Sequence, residues 1–266
     1  MNINGNVIKS KLNMGDASLS EVVIPKNITF IGQWAYSKCK NLTKVVFEGE
    51  YSPQLLSKGV FEGSDKLESI EFANLGPDEA YLLAAAITKL KVTYLLRSDD
   101  VGEKSWFDKW DLALKIVLES NDEKFDAANA LCGEEDISYD NIGSIDGEMP
   151  GVGVDYLNEA AYNKSLLCYL RLTYDKFLSD SNRENIHRYI KKHAFGTKDA
   201  YSWLTLKEKC RDDLSYYRIY LEIVKPLNDE MRRMIDDLPQ NAVAAKSFLI
   251  GESAKEAENL SSNLFI

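Results

Sequence analysis

The chain has 266 residues, of which 45% are hydrophobic, and a formal net charge of −10. A chain of this length can bury a substantial core in one or two domains. The negative charge disfavours binding to nucleic acid or to an anionic membrane. No stretch of the sequence approaches the roughly 18 consecutive apolar residues that a membrane-spanning helix needs.

Residues 19–47 contain a hydrophobic pattern that the chain then repeats with small changes. The leading leucines are Leu19, Leu42 and Leu67, so the repeat lengths are 23 and 25 residues. A period of about 20 to 29 residues with leucine at a fixed position is typical of leucine-rich repeats. The other marked positions are Val22, Ile24, Ile28, Ile31, Gly32, Ala35, Tyr36 and Cys39 in the first unit, and Val45, Phe47, Leu56, Val60 and Phe61 in the second.

Each unit is predicted to contain a short strand followed by a turn. Residues two apart in a strand point to one face, and a third strand opens after the second unit. The pairs with this spacing are Val22 and Ile24, Val45 and Phe47, and Ile70 and Phe72. The pattern therefore predicts a small parallel sheet. Gly32 is expected to adopt a positive φ at the turn, and Cys39 is interpreted as a small buried apolar residue.

These residues resemble the BspA-like leucine-rich repeat, whose unit runs roughly L-x-x-I-x-I-P-x-x-V-x-x-I-G-x-x-A-F-x-x-C-x-x-L. The first unit matches nearly throughout, with Pro25 after the strand and Cys39 before the next leucine. The resemblance implies that residues 1–76 form a short solenoid with an N-terminal cap. Since a stable solenoid needs about three units, we expect residues 1–18 to form an irregular hairpin that caps the first coil.

The N-terminal residues include no apolar run of signal-peptide length, so the chain as given is expected in the cytoplasm. Proteins with this repeat are often exported, so a leader removed from the given chain is the alternative. The cysteines are spaced neither as a disulfide framework nor as a metal site, and we interpret them as reduced thiols. They are Cys39, Cys132, Cys168 and Cys210.

From Pro77 onward the hydrophobic period changes to about 3.6, which predicts an α-helical domain over residues 77–266 and an α+β fold overall. A first helix is predicted over residues 77–97. The next helix carries its apolar stripe at Trp106, Trp110, Ala113 and Val117.

The middle of the chain is strongly acidic. Between Lys124 and Lys164 it contains no Lys, Arg or His, and nine carboxylates: Asp126, Glu134, Glu135, Asp136, Asp140, Asp146, Glu148, Asp155 and Glu159. Asn121 is predicted to cap a short helix through Leu131, and residues 133–154 are predicted to form an irregular loop. A long helix is expected over residues 155–178.

The C-terminal part is predicted to continue as helices. Ser181 and Glu184 form a capping box for a helix that Gly196 ends, and Thr197 is expected to cap the next helix, with Trp203 and Leu204 inward. This pair is similar to one ankyrin-type helix hairpin, although its T-P-L-H start is absent. Further helices are predicted over residues 211–224 and 227–237, and a segment over residues 241–250 is followed by a final helix over residues 253–260.

The sequence supports no catalytic site, metal site or cofactor. His187 and His193 are six residues apart on a helix, so they do not share a metal-binding face. No Ser or Cys lies in a nucleophile motif such as G-x-S-x-G. The acidic loop does not have the residue spacing of a calcium-binding loop.

We therefore predict a non-enzymatic protein-interaction module. The predicted contact residues are Gln33, Trp34 and Tyr51 near the repeat turns and Glu134, Glu135 and Asp136 in the acidic loop. One alternative is an inhibitor or immunity-type protein whose acidic loop binds a basic enzyme, with salt-sensitive affinity. Another is an enzyme with carboxylates at the junction between repeats and helices, recognisable by a pocket with two or more buried acids. The partner and the oligomeric state stay open.

Overall fold

The structure is a computed structural model that describes residues 5–120, 153–211 and 213–263, apart from the side chains of residues 153–158 and 256–263. Two compact units are present, Met1–Asn182 and Arg183–Ile266. The described residues contain short parallel strands followed by eight α-helices. The expected α+β class is therefore confirmed.

Five strands form two parallel sheets in the first unit. The strands are β1 Val7–Ile8, β2 Glu21–Ile24, β3 Phe30–Ile31, β4 Lys44–Phe47 and β5 Ser69–Phe72. One sheet has the order β2-β4-β5, and the other pairs β1 with β3. Each strand thus pairs with its equivalent in the neighbouring repeat.

The strand register stacks equivalent side chains into rows. Val22 pairs with Val45, and Val45 pairs with Ile70. All three are buried because alternate residues of a strand face the core. In the parallel row that begins at Ile24, the rings of Phe47 and Phe72 stack 4.2 Å apart. The marked positions of both units are buried as predicted, except that Leu19 is only half-buried.

A buried serine links the two repeats. Ser64 occupies the position in the second repeat that Cys39 occupies in the first. The Cys39 backbone N–H donates to Ser64 Oγ at 3.0 Å, and the Ser64 hydroxyl donates to the Tyr36 carbonyl at 2.8 Å. These bonds satisfy backbone groups that would otherwise be buried without partners.

The N-terminal segment follows the path of a repeat, and the predicted hairpin is wrong. β1 pairs in parallel with β3, and the backbone N–H of Gly32 donates to the Ile8 carbonyl at 2.8 Å. Parallel pairing requires the chain to pass around a complete coil between the two strands, whereas a hairpin joins antiparallel strands. Residues 5–18 are therefore the second half of a preceding coil.

The expected reason for glycine at position 32 is also wrong. The positive-φ positions lie elsewhere in the turn and recur at the repeat spacing: Lys11, Trp34 and Gly59 in one series, and Gly15, Lys38 and Gly63 in the other. Gly32 has no positive φ. Glycine is needed there because a Cβ would lie 2.4 Å from the backbone nitrogen of Ser10.

The helices of the first unit continue from the last strand. They are α1 Pro77–Thr88, a short 3₁₀ helix Thr93–Arg97, α2 Lys104–Glu119 and α3 Gly153–Thr173. α1 packs along β5 and lies in the same compact unit as the repeats, so the predicted boundary at residues 76/77 falls inside one unit. α2 buries Trp106, Trp110, Ala113 and Val117 as predicted.

Two predicted helices end earlier than expected. α1 ends at Thr88, and Lys91 then adopts a left-handed conformation with φ 58°, which interrupts the helical path to residue 97. α3 ends at Thr173, and just beyond this end the guanidinium of Arg171 donates to the carbonyls of Tyr174 and Lys176. The predicted short helix over residues 121–131 lies outside the described residues.

A buried ion pair joins α2 and α3. Arg171 Nε lies 2.6 Å from Asp111 Oδ1, and the two side chains are 0% and 2% exposed. Asn182 Nδ2 donates to the second carboxylate oxygen of Asp111 at 3.2 Å. Burying two charges costs several kcal/mol unless their hydrogen bonds are satisfied. Here the carboxylate of Asp111 accepts hydrogen bonds from Arg171 and Asn182, so the buried charges have hydrogen-bond partners.

Five more helices follow. They are α4 Asp180–Lys192, α5 Tyr201–Glu208, α6 Leu214–Val224, α7 Asn228–Asp237 and α8 Val243–Asn263. Trp203 is buried as predicted and packs against Tyr217 and Tyr220. Leu204, also predicted to face inward, is only half-buried.

Three helix ends differ from prediction in this part. Ser179 Oγ, rather than Ser181, accepts the N–H of Asn182 at the start of α4. α5 begins at Tyr201, and Thr197 instead donates its hydroxyl to the Ala194 carbonyl. The final helix begins ten residues earlier than predicted, at Val243, so most of the segment 241–250 belongs to α8, which continues through Gly251.

Candidate functional site

The turns of the repeats form a continuous surface that we call the turn face, residues 9–18, 32–41 and 57–66. Backbone hydrogen bonds stack these segments on one another. Lys11 N–H donates to the Gln33 carbonyl at 2.9 Å, and Lys38 N–H donates to the Glu62 carbonyl at 2.7 Å. Side chains at equivalent positions of successive repeats are therefore neighbours on this face.

A pocket of about 290 Å³ opens on the turn face, and we call it the Trp34 site. Its walls include Lys11, Met14, Trp34, Lys38, Glu62 and Gly63. Met14 is 42% exposed, and the indole ring of Trp34 is partly exposed. The residues that line the site are therefore apolar (Met14 and Trp34) and charged (Lys11, Lys38 and Glu62).

The backbone of Trp34 is in the left-handed region, with φ 55°. This conformation costs a residue with a side chain about 1 kcal/mol relative to glycine. The next repeat has Gly59 at the equivalent position, with φ 68°. A Cβ on Gly59 would lie 2.6 Å from the Trp34 ring, so the absence of a side chain at 59 makes room for the indole.

Charged side chains hold the indole ring in place. Trp34 Nε1 donates to Glu62 Oε2 at 3.3 Å. Lys11 Nζ lies 5.4 Å from the centre of the ring, within the distance of a cation–π interaction. The ring is thus fixed from two sides before any ligand binds.

The core beneath the turn face is uncharged. Burial raises the pKa of the Tyr36 phenol to about 12, and burial is also the main cause of the raised pKa of the Cys39 thiol. Both groups therefore stay protonated at neutral pH. The charges of this region lie on its surface.

Charge is unevenly divided between the turns and the strands. The turn face contains six lysines (Lys9, Lys11, Lys38, Lys40, Lys58 and Lys66) against three carboxylates (Asp16, Glu62 and Asp65), a net charge of +3. The strand-bearing segments 19–31, 42–56 and 67–74 contain two lysines against five glutamates, a net charge of −3. The turn face is therefore locally basic in an acidic chain.

The structure places the predicted contact residues in three different situations. Gln33 is exposed beside Trp34 on the turn face. Tyr51 lies elsewhere: its hydroxyl is 3.0 Å from the Leu96 carbonyl and 2.9 Å from the Ser98 carbonyl. Burial, with the charges of Asp99 and Asp100, raises the pKa of Tyr51. Glu134, Glu135 and Asp136 lie outside the described residues.

Sequence reasoning did not identify Lys11, Met14, Lys38 and Glu62 as parts of the site. They are distant in sequence from one another and become neighbours only when the repeats stack. The signal was present, because Lys11 and Trp34 are separated by one repeat length of 23 residues, as are Gly15 and Lys38.

We expect the Tyr51→Phe variant to lose about 1 to 2 kcal/mol of unfolding free energy, because it leaves two partly buried carbonyls without their donor. Urea unfolding of the full chain measures this change. The ring itself stays packed edge-on against Phe72, 5.1 Å away. An unchanged unfolding midpoint would contradict the structural role given to this hydroxyl.

The buried carboxylates that the structure describes near the junction between repeats and helices are each bound by a basic side chain of the chain itself. Among the described residues, the buried carboxylates are Glu79 and Asp111. Lys176 and the Gly76 backbone N–H bind the Glu79 carboxylate, and Arg171 binds Asp111. Neither carboxylate lines the Trp34 site.

In the described ranges 5–120, 153–211 and 213–263, no group of three or more His, Cys, Asp or Glu side chains is arranged to hold a metal ion. None of the helices in those ranges has the length and hydrophobicity that crossing a membrane requires.

Comparison with protein families identifies the N-terminal part. Residues 6–98 match the model of the BspA type leucine rich repeat region, in six copies. No curated protein and no solved structure matches the chain. Such repeats suggest a protein-interaction module. Residues 6–98, which include the turn face, α1 and the 3₁₀ helix, are a BspA-type leucine-rich repeat region.

Proposed function

We propose that this chain is a non-enzymatic protein-binding module whose contact surface is the turn face, with Trp34 at its centre. The observation that carries the proposal is the backbone of Trp34. A tryptophan occupies a left-handed position that the preceding coil gives to Lys11 and the next repeat gives to glycine. Residues kept in such positions at a cost in stability concentrate at functional sites.

The form of the site favours a protein ligand. Tryptophan is among the residues that most often dominate the binding energy of protein interfaces. The volume of about 290 Å³ is at the lower end of the range for small-molecule pockets. It suits one inserted side chain, with the surrounding turn face providing the rest of the contact.

The Trp34→Gly variant tests this proposal. We expect its unfolding free energy to change by less than about 1 kcal/mol, because relief of the left-handed backbone offsets the lost ring contacts. Binding to a partner captured from the native lysate should weaken at least tenfold, since loss of a central aromatic costs about 2 kcal/mol or more. Calorimetric titration and thermal unfolding measure the two effects.

Phe30→Ala is the matched control for this experiment. Phe30 is an exposed aromatic residue of the same repeat, 42% exposed, but it lies in β3 and not on the turn face. The control should retain the partner. Loss of binding in Phe30→Ala together with full binding in Trp34→Gly would place the contact surface elsewhere and contradict the proposal.

A second candidate function is that of an acidic inhibitor that binds a basic enzyme. The observation that favours it is the sequence between Lys124 and Lys164, with nine carboxylates and no cation. The variant with Glu134, Glu135 and Asp136 all changed to lysine should then lose its partner, and wild-type binding should weaken as salt increases. Retention of the partner by this variant would exclude that function.

A further inference from the structure

We propose that the turn face binds an acidic segment of a partner protein, with one apolar side chain in the Trp34 site and carboxylates on Lys11 and Lys38. This inference rests on the proposed function and specifies the chemistry of the partner. It differs from a basic partner, which the overall charge of −10 would favour.

The first support is the availability of the lysines. All six lysines of the turn face are exposed, and none of them forms an ion pair with a carboxylate in the part of the chain that the structure describes. The three acids of the face already have internal partners. Asp16 accepts from Ser18, Glu62 accepts from Trp34, and Asp65 pairs with Lys91. The turn face therefore keeps its net charge of +3 for an external anion, with Lys11 also lying over the Trp34 ring.

The second support is the contrast with the neighbouring surface. The strand-bearing segments carry a net charge of −3 and repel an acidic ligand, whereas the turn face attracts it. Complementary potentials of this kind guide encounter and fix the orientation of a complex. An acidic segment therefore finds one favourable face on the repeat region.

The third support is the composition of the pocket. Met14 and Trp34 line the pocket together with the lysines Lys11 and Lys38, and Glu62 is the one carboxylate among its lining residues. Such a site suits an apolar side chain flanked by carboxylates. Nucleic acid is the other polyanion to consider, but the chain is acidic overall and residues 1–76 contain no arginine, the residue best suited to binding phosphate bidentately.

The test measures fluorescence anisotropy of a labelled peptide, EDEELEDEE, with the full-length protein at low and moderate salt. Wild type should bind the peptide, and the double variant Lys11→Glu, Lys38→Glu should bind at least tenfold more weakly. The matched control is Lys26→Glu, Lys44→Glu, which reverses the same number of charges outside the turn face and should change affinity less than twofold. A peptide with serine in place of leucine should bind less tightly than the original.

Several outcomes would overturn the inference. One is that wild type does not bind the peptide up to millimolar concentration. Another is that both double variants lose the same amount of affinity for the peptide. A third is that wild type binds an RNA oligonucleotide of equal length more tightly than the peptide. Stronger peptide binding after replacement of Glu134, Glu135 and Asp136 by glutamine and asparagine would mean that the acidic stretch of the chain itself occupies the face. That result would also overturn binding of a partner segment as the native state.

Failure of this inference can be separated from failure of the proposed function. If the partner captured from lysate is lost by Trp34→Gly but kept by Lys11→Glu, Lys38→Glu, the turn face binds protein and the acidic segment is excluded. If neither variant affects the captured partner, the proposed function itself fails.

Discussion

Replacing Asp111 by alanine is expected to lower the unfolding free energy by about 3 to 5 kcal/mol. The change leaves the guanidinium of Arg171 fully buried without its carboxylate, and it removes an acceptor of Asn182. Because a domain is stable by only about 5 to 15 kcal/mol in total, this is a large fraction of its stability. Urea unfolding followed by circular dichroism measures the effect.

Two controls separate the buried charge from other effects of this substitution. Asp108→Ala removes an exposed ion pair with Lys104 on the same helix and should cost less than about 1 kcal/mol. The double variant Asp111→Leu, Arg171→Met should be more stable than Asp111→Ala, because replacing a buried ion pair by apolar side chains is often neutral or stabilising. Equal costs for Asp111→Ala and Asp108→Ala would contradict the buried pair.

The second large effect is expected for Gly32→Ala, with a loss of about 3 kcal/mol. The new Cβ would lie 2.4 Å from the backbone nitrogen of Ser10 and 2.8 Å from its Cα. Backbone atoms cannot rotate away as a side chain can, so β1 must separate from β3. Hydrogen exchange should then quicken at the Gly32 amide, which donates to Ile8 in the wild type.

Gly49→Ala is the control in the same repeat region. A Cβ at this position would meet its nearest neighbour, the Cα of Lys26, at 3.5 Å, an ordinary contact. Its stability should stay within about 0.5 kcal/mol of wild type. A similar cost for both glycines would show that close approach to Ser10 is not the reason for Gly32.

The sequence predicted the core of the repeats well because two independent periodicities select the same residues there. Alternation within strands and the repeat length of 23 or 25 residues both select Val22, Ile24, Val45 and Ile70, and all four are buried. The coil formed by residues 5–18 was missed because β1 has only two residues, too few to show alternation. Its partner β3 becomes recognisable only after the repeats have been stacked.

The candidate site was predicted only in part for a similar reason. Trp34 was identified from its place near a turn, but its left-handed backbone has no signature in residue type. Glu62 is 28 residues from Trp34 and reaches the indole only through stacking. Arg171 and Asp111 are 60 residues apart, and no local pattern joins them. Interactions between side chains this distant require the tertiary structure.

The buried thiols of Cys39 and Cys168 can be used to follow local unfolding of the protein. Burial raises the pKa of both, Cys168 being completely enclosed in α3, and alkylating reagents react with the thiolate. Neither cysteine can be modified until its surroundings open. The alkylation rates of these two residues therefore measure how often the repeats and the helices of the first unit each expose their interior, without any engineered cysteine.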